Sequence, residues 1–174
     1  MIYNTAMSTD KKFIGVFDHN LSDPASEYQR LAAEDETVGK LLLSQGYCRH
    51  AIYFFIQAME KYARFRIFSI VNPDTEYYRN LTRTHNLDEL LDFLVEVVNS
   101  NPLIRAQVKD QLDNFVLGGI RFGKLHNDLR YPIYSEKYRN YSMLKLSRED
   151  AEITLDKLEK LKLFLRDLDR LRRV

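Results

Sequence analysis

The chain has a single cysteine, Cys48, so no disulfide can form within it. Cys48 lies in an apolar run that reads as helix, which predicts a buried thiol, and no base is placed to activate it. No run of about 18 consecutive apolar residues occurs, so no membrane span is expected. An excess of one charge is missing as well: 26 Lys and Arg stand against 25 Asp and Glu. The whole molecule has no field to draw it to nucleic acid, and such a role must rest on a local basic patch. The opening residues lack a basic flank followed by a long apolar core. They are not read as a secretory signal, and a cytoplasmic protein is expected. Internal repeats, low-complexity segments, a Walker loop, a Rossmann glycine fingerprint, zinc spacing and a Ser/His/Asp order are all lacking. No metal and no cofactor is expected.

What is present is enough apolar residue, 45% of 174, for one domain with a real core. Residues 1–22 show little helical periodicity, and Phe13, Ile14, Val16 and Phe17 read as an arm laid on the rest, with a short strand as the alternative. Residues 23–174 read as a helical bundle. Asp23 can cap the first helix, Pro24 suits its first position, Glu27 lies in its first turn, and Gly46 ends it. The next helix, over about 47–71, is expected to be central. Tyr47, Ala51, Phe54, Phe55, Ala58, Tyr62 and Phe65 recur along it at helical spacing, with His50, Gln57, Glu60, Lys61 and Arg64 on other faces. Asn72-Pro73-Asp74 stops it. Asn86 with Glu89 forms a capping-box pattern before Leu87, Leu90, Leu91, Leu94, Val97 and Val98. A helix over 103–117 turns Ile104, Val108, Leu112, Phe115 and Val116 inward, and Gly118-Gly119 loosens the chain. Residues 120–146 read as irregular or broken helix. The last helix starts at Ser147 and carries Ala151, Thr154, Leu158, Leu161, Leu165 and Leu168 in a heptad-like stripe, widened by Leu155, Phe164 and Leu171. Arg166, Arg170, Arg172 and Arg173 suit its C-terminus. The fold class is all-α, an up-down bundle of about five helices with an irregular loop before the last.

Candidate chemistry gathers late in the chain. Arg121 and His126 flank Phe122-Gly123-Lys124-Leu125. A histidine can move the proton of a ribose hydroxyl, and an arginine can stabilise a phosphate in its transition state. On a regular helix five positions turn the two about 140° apart, so they converge only if the helix is irregular or two chains share the site. Arg130-Tyr131-Pro132 reads equally as a helix stop and as a phosphate contact by Arg130. Thr84-His85-Asn86-Leu87, near Arg79 and Arg83, reads first as a helix start, with a ligand contact by His85 as the second reading. Arg121, Lys124, Arg130, Tyr131, Tyr134, Lys137, Tyr138, Arg139, Tyr141 and Lys145 interleave cations and aromatic faces, which suits single-stranded RNA or a nucleotide base. The plainer expectation is that most of these tyrosines pack on the helices.

The blocks Leu41–Tyr47 with Ala51–Lys61, then Thr84–Leu87, then Arg130–Pro132, resemble in order and spacing the HEPN family of helical proteins tied to nucleotides, RNA and toxin–antitoxin systems. The resemblance covers about residues 25–170, counted by matching elements. It implies a homodimer and no metal. RNA-cutting members carry an arginine–histidine pair like Arg121 and His126, two such pairs meeting across the dimer, with a polar residue after the arginine where this chain has Phe122. Members with the Arg-Tyr-Pro block often lack that pair. The resemblance therefore implies an accessory nucleotide- or RNA-binding module beside a nucleotidyltransferase-like partner, with ligand contacts at Arg130, Tyr131 and His85, to which the basic–aromatic stretch adds Lys124. The alternatives are a metal-independent endoribonuclease of toxin–antitoxin or phage-defence type, and a non-catalytic dimerisation protein.

Overall fold

The computed structural model describes residues 15, 23–72, 75–81, 84–123 and 125–171, without the side chains of 79, 81 and 169–171. The arm residues Phe13, Ile14, Val16 and Phe17, together with Pro73, Asp74, Arg83, Lys124, Arg172 and Arg173, lie outside the described residues, as do the side chains of Arg79, Arg170 and Leu171. Of the described residues 70% are helical and 4% strand. Its elements are α1 (Pro24–Ser44), α2 (Cys48–Phe68), α3 (Glu76–Leu81), α4 (Leu87–Val98), α5 (Pro102–Asp110) running into a π-helical turn (Gln111–Val116), α6 (Leu125–Asp128), β1 (Ile133–Ser135), β2 (Asn140–Ser142) and α7 (Arg148–Leu171). Among the described residues no helix is long and apolar enough to cross a membrane.

The helix starts follow from their caps. Asp23 Oδ1 accepts the Ser26 N–H at 3.2 Å, with Pro24 at the first helical position of α1. Gly46 takes φ +82° and turns the chain directly into α2. Asn86 Oδ1 accepts from Asp88 N at 3.0 Å to start α4. Ser147 Oγ accepts from Asp150 N at 3.1 Å, while Asp150 Oδ2 accepts from Ser147 N at 2.7 Å, a reciprocal box opening α7. The expected α7 stripe is buried throughout, from Ala151 to Leu168.

Helix α2 is central, packed on α1, α4 and α7. Being flanked on three sides changes which of its residues are core. Ala51, Ile52, Phe55, Ile56, Ala58, Met59, Ala63 and Ile67 are buried. Phe54, Tyr62 and Phe65 sit half-buried at the seams, and Tyr47 is exposed. Glu60 and Arg64, on faces other than the apolar one, are buried as well. Cys48 is half-buried rather than sealed in the core.

Two further expectations change. Phe115 is 72% exposed. The π turn bonds Leu117 N to Leu112 O at 2.9 Å, which lowers the rotation per residue, so Leu112, Val116 and Leu117 face inward and Phe115 swings out. The segment 120–146, read as irregular or broken helix, also holds a pair of strands. It holds one turn of helix, α6, then an antiparallel hairpin in register Ile133↔Ser142, Tyr134↔Tyr141, Ser135↔Asn140. Arg139 takes φ 47° to close the turn between the strands.

A carboxylate ties α1, α2 and α7 together. Glu36, buried, receives Lys162 Nζ at 2.8 Å, Tyr62 Oη at 3.0 Å and Lys40 Nζ at 2.6 Å. Burial alone would raise its pKa, but Lys162, Lys40 and Tyr62 outweigh that and hold it below the usual carboxylate range. Burial, then the neighbouring Glu36 charge, pushes the Tyr62 phenol the other way, upward.

At the α1–α2 seam Gly39 lets the helices close. A Cβ there would meet Phe55 Cε1 at 2.6 Å, and the Phe55 ring is fully buried and has nowhere to move. Alanine should gain about 1 kcal/mol of helix propensity. The clash should exceed it, so Gly39→Ala is expected to lower stability by about 1–3 kcal/mol net, read as a lower urea midpoint.

Candidate functional site

One face of α2 builds the floor of the site. Arg49, Tyr53, Gln57, Glu60 and Arg64 fall at three- and four-residue spacing, a polar stripe along the helix. Glu60 Oε1 accepts from Arg64 Nη2 at 2.9 Å and from Arg64 Nε at 3.2 Å. Arg64 Nη2 also donates to the Thr84 carbonyl. His85 Nδ1 lies 3.3 Å from Glu60 Oε1. A carboxylate can only accept, so His85 donates through Nδ1. The Thr84–Asn86 strip is thereby pinned across α2 just before it caps α4.

The second wall follows from Asp88, in the first turn of α4. Its Oδ1 accepts from Phe122 N at 3.2 Å and its Oδ2 from Gly123 N at 3.0 Å. Phe122 is then driven into the core, 1% exposed. Gly123 is there because nothing larger fits: a Cβ would stand 2.1 Å from Asn86 Oδ1, the oxygen that caps α4. These bonds set α6, and with it His126, over the α2 stripe.

His126 is the centre of the cluster. Its Nδ1 lies 3.0 Å from the Gln57 amide, and its Nε2 lies 3.4 Å from Arg130 Nη1. Its ring packs against Tyr53 at 5.6 Å and against His85 at 6.4 Å, the two imidazoles 22° from parallel. Burial lowers the His126 pKa below the ordinary 6.5; Glu60 opposes this, while Arg130 and His85 add to it. A neutral imidazole has one N–H. Arg130 can only donate, so both contacts are satisfied when His126 carries its proton on Nδ1 and Gln57 turns its oxygen toward it.

The cleft over this cluster has a volume of about 460 Å³ and is lined by Thr84, His85, Asn86, Gly123, His126, Asn127 and Arg130. Arg130 also lines a neighbouring recess of about 530 Å³ with Arg49, His50, Tyr53, Leu129, Tyr131 and Met143. Arg49 fixes the wall of this recess by donating to the Leu129 carbonyl at 2.8 Å and to the Leu144 carbonyl. The arrangement offers a guanidinium and an asparagine amide to an anion, with aromatic rings alongside and two imidazoles that gain a further N–H on protonation.

Of the residues singled out in the sequence, His85, His126 and Arg130 meet in the cleft, and Tyr131 stands at the recess. Arg121 is placed elsewhere. It is 61% exposed and faces Asp113, 3.6 Å away on the π turn, and it does not line the cleft. Arg49, Gln57, Glu60 and Asp88 were not singled out as site residues. The polar stripe of α2 was the signal that could have found the first three. Asp88 gives no such signal, because its partners are backbone N–H groups far along the chain. Among the described residues no group of three or more His, Cys, Asp or Glu is placed to hold a metal ion.

The depressed His126 pKa has a sign. The unfolded chain holds that proton more tightly, so the neutral ring contributes stability above pH 6.5, and this is lost as pH falls through the folded value. In an NMR titration the His126 ring should reach its midpoint below 6.5, and inorganic phosphate in the cleft should move the midpoint up, because an anion favours the imidazolium. A midpoint that ignores phosphate would mean that the anion does not enter. No family model, curated protein or solved structure matches this chain, so its own residues carry the assignment of the site.

Proposed function

We propose that this chain is a HEPN-like nucleotide- or RNA-binding module, a homodimer that works beside a nucleotidyltransferase-type partner. One observation carries the reading. The three separated sequence blocks that resemble the family converge on one place: Tyr53, Gln57 and Glu60 from the first, Thr84, His85 and Asn86 from the second, Arg130 and Tyr131 from the third. The chemistry of that place suits a phosphate on Arg130, with a base against Tyr53 or Tyr131 in the adjoining recess. The N-terminus of α4 is not a competing anion site, since Asn86 occupies its free N–H groups and Asp88 and Glu89 load its first turn with negative charge.

The test is direct. Titration with a nucleoside monophosphate should show binding that Arg130→Ala weakens by about 2 kcal/mol, or roughly thirtyfold, since a charge-assisted hydrogen bond is lost. Arg130 is exposed, so the fold should be unaffected. Equal affinity in the variant would remove the cleft from the account.

A second reading, metal-independent RNA cleavage, is favoured by one fact: burial lowers the His126 pKa, which favours the neutral ring that a general base needs. Against it, Phe122 is a core anchor rather than a polar site residue, and Arg121 lies outside the cleft of its own chain. Mixed-sequence RNA without divalent metal should therefore survive as it does with His126→Ala. Robust cleavage that leaves cyclic phosphate ends and is lost in either Arg121→Ala or His126→Ala would overturn this in favour of the nuclease.

A further inference from the structure

We infer that the β1–β2 hairpin extends the cleft into a track for single-stranded nucleic acid, its tyrosines stacking on bases and its cations drawing in the phosphates. The inference rests on the cleft binding a nucleotide, and it adds the strand that continues from it.

The tyrosines expected to pack on the helices do not. Tyr134 and Tyr141 are directly opposed in the hairpin register, so they share one face, with ring centroids 5.4 Å apart. Tyr141 and Tyr138 are each 69% exposed. An aromatic ring left in water contributes little to the fold, while every base offers a π-face for such a ring. Stacking of this kind needs unpaired bases, which selects a single strand over a duplex.

Charge points the same way. From residue 130 to 146 the chain carries Arg130, Lys137, Arg139 and Lys145 against Glu136 alone, while the whole molecule is at +1. This is the local basic patch that a balanced composition requires. The same charges disfavour a second copy as the occupant, since a two-fold contact would set the cations against themselves.

The hairpin is continuous with the cleft. Arg130 lines both the cleft and the recess, and Tyr131 and Met143, one on each limb of the hairpin's base, complete that recess. Arg49 grips the carbonyls of Leu129 and Leu144, so the hairpin is held in place before any strand arrives. Less order is then lost on binding.

The experiment is fluorescence anisotropy of the full chain with a labelled single-stranded RNA of about 12 nucleotides, run beside the mononucleotide titration. Joint Tyr134→Ser and Tyr141→Ser changes, both outside the cleft, should weaken RNA binding roughly tenfold or more and leave the mononucleotide unaffected. Tyr134→Phe with Tyr141→Phe should restore it, since the ring faces return. Lys137→Ala with Lys145→Ala should flatten the salt dependence. The same strand made as DNA should bind as well or less tightly, and the RNA duplex clearly less. RNA affinity unchanged by the serine variant, with Arg130→Ala still weakening it, overturns the track and leaves the cleft. A serine variant that only turns a dimer into a monomer in sedimentation also overturns it, in favour of an interface between copies. Absence of binding to RNA and to the mononucleotide alike removes the proposed function itself.

Discussion

The carboxylate of Glu60 is nearly out of water, and the site is arranged around that fact. A buried charge without partners costs several kcal/mol. Arg64 answers it from one turn further along α2, and His85 answers it from another segment. Arg64 is then itself anchored on the Thr84 carbonyl, so satisfying one carboxylate locks the approach to α4 across the middle of α2. The dependence runs onward. Asn86, now fixed, caps α4; Asp88, now placed, takes the N–H groups of Phe122 and Gly123; and His126 comes to rest over Gln57. Each bond is modest alone. Their order in space makes the cleft a consequence of one buried acid.

Helix α2 is held by charge on both sides. Glu60 and Arg64 serve the cleft, while Tyr62, about 200° round the helix from Glu60, reaches Glu36 and through it Lys162 of α7. Met59 and Ala63 fill the fully buried surface of the same turns. The bundle therefore has polar knots through its middle, where a plain apolar seam would let neighbouring helices slide. Such knots fix register at little gain in stability.

Much of this was legible in the chain. Asp23, Asn86 and Ser147 mark their helix starts because a short polar side chain before an apolar periodic run has few other uses. The α7 stripe was legible because an exposed, one-sided helix has one period. What escaped did so for physical reasons. The core of α2 is too wide for a stripe, so counting apolar spacing overlooked the polar line within it. The hairpin is three residues a side, too short for alternation to declare itself. Phe115 was lost to a change of helix type that depends on the packing around it. Arg121 and His126, near each other in sequence, are parted because Phe122 and Gly123 between them are tied down to Asp88.

The π turn has a consequence of phase. An α-helix advances about 100° per residue, and a wider turn makes room for one more. The turn at Gln111–Val116 thus acts as a fixed angular offset, set upstream of the site by a single residue's worth of chain. It decides the bearing on which the backbone leaves for Gly118, Gly119 and the loop that carries Phe122. Helix α5 and the loop are in that sense shaft and arm of a crank, and the arm's angle is written in the count of residues between them.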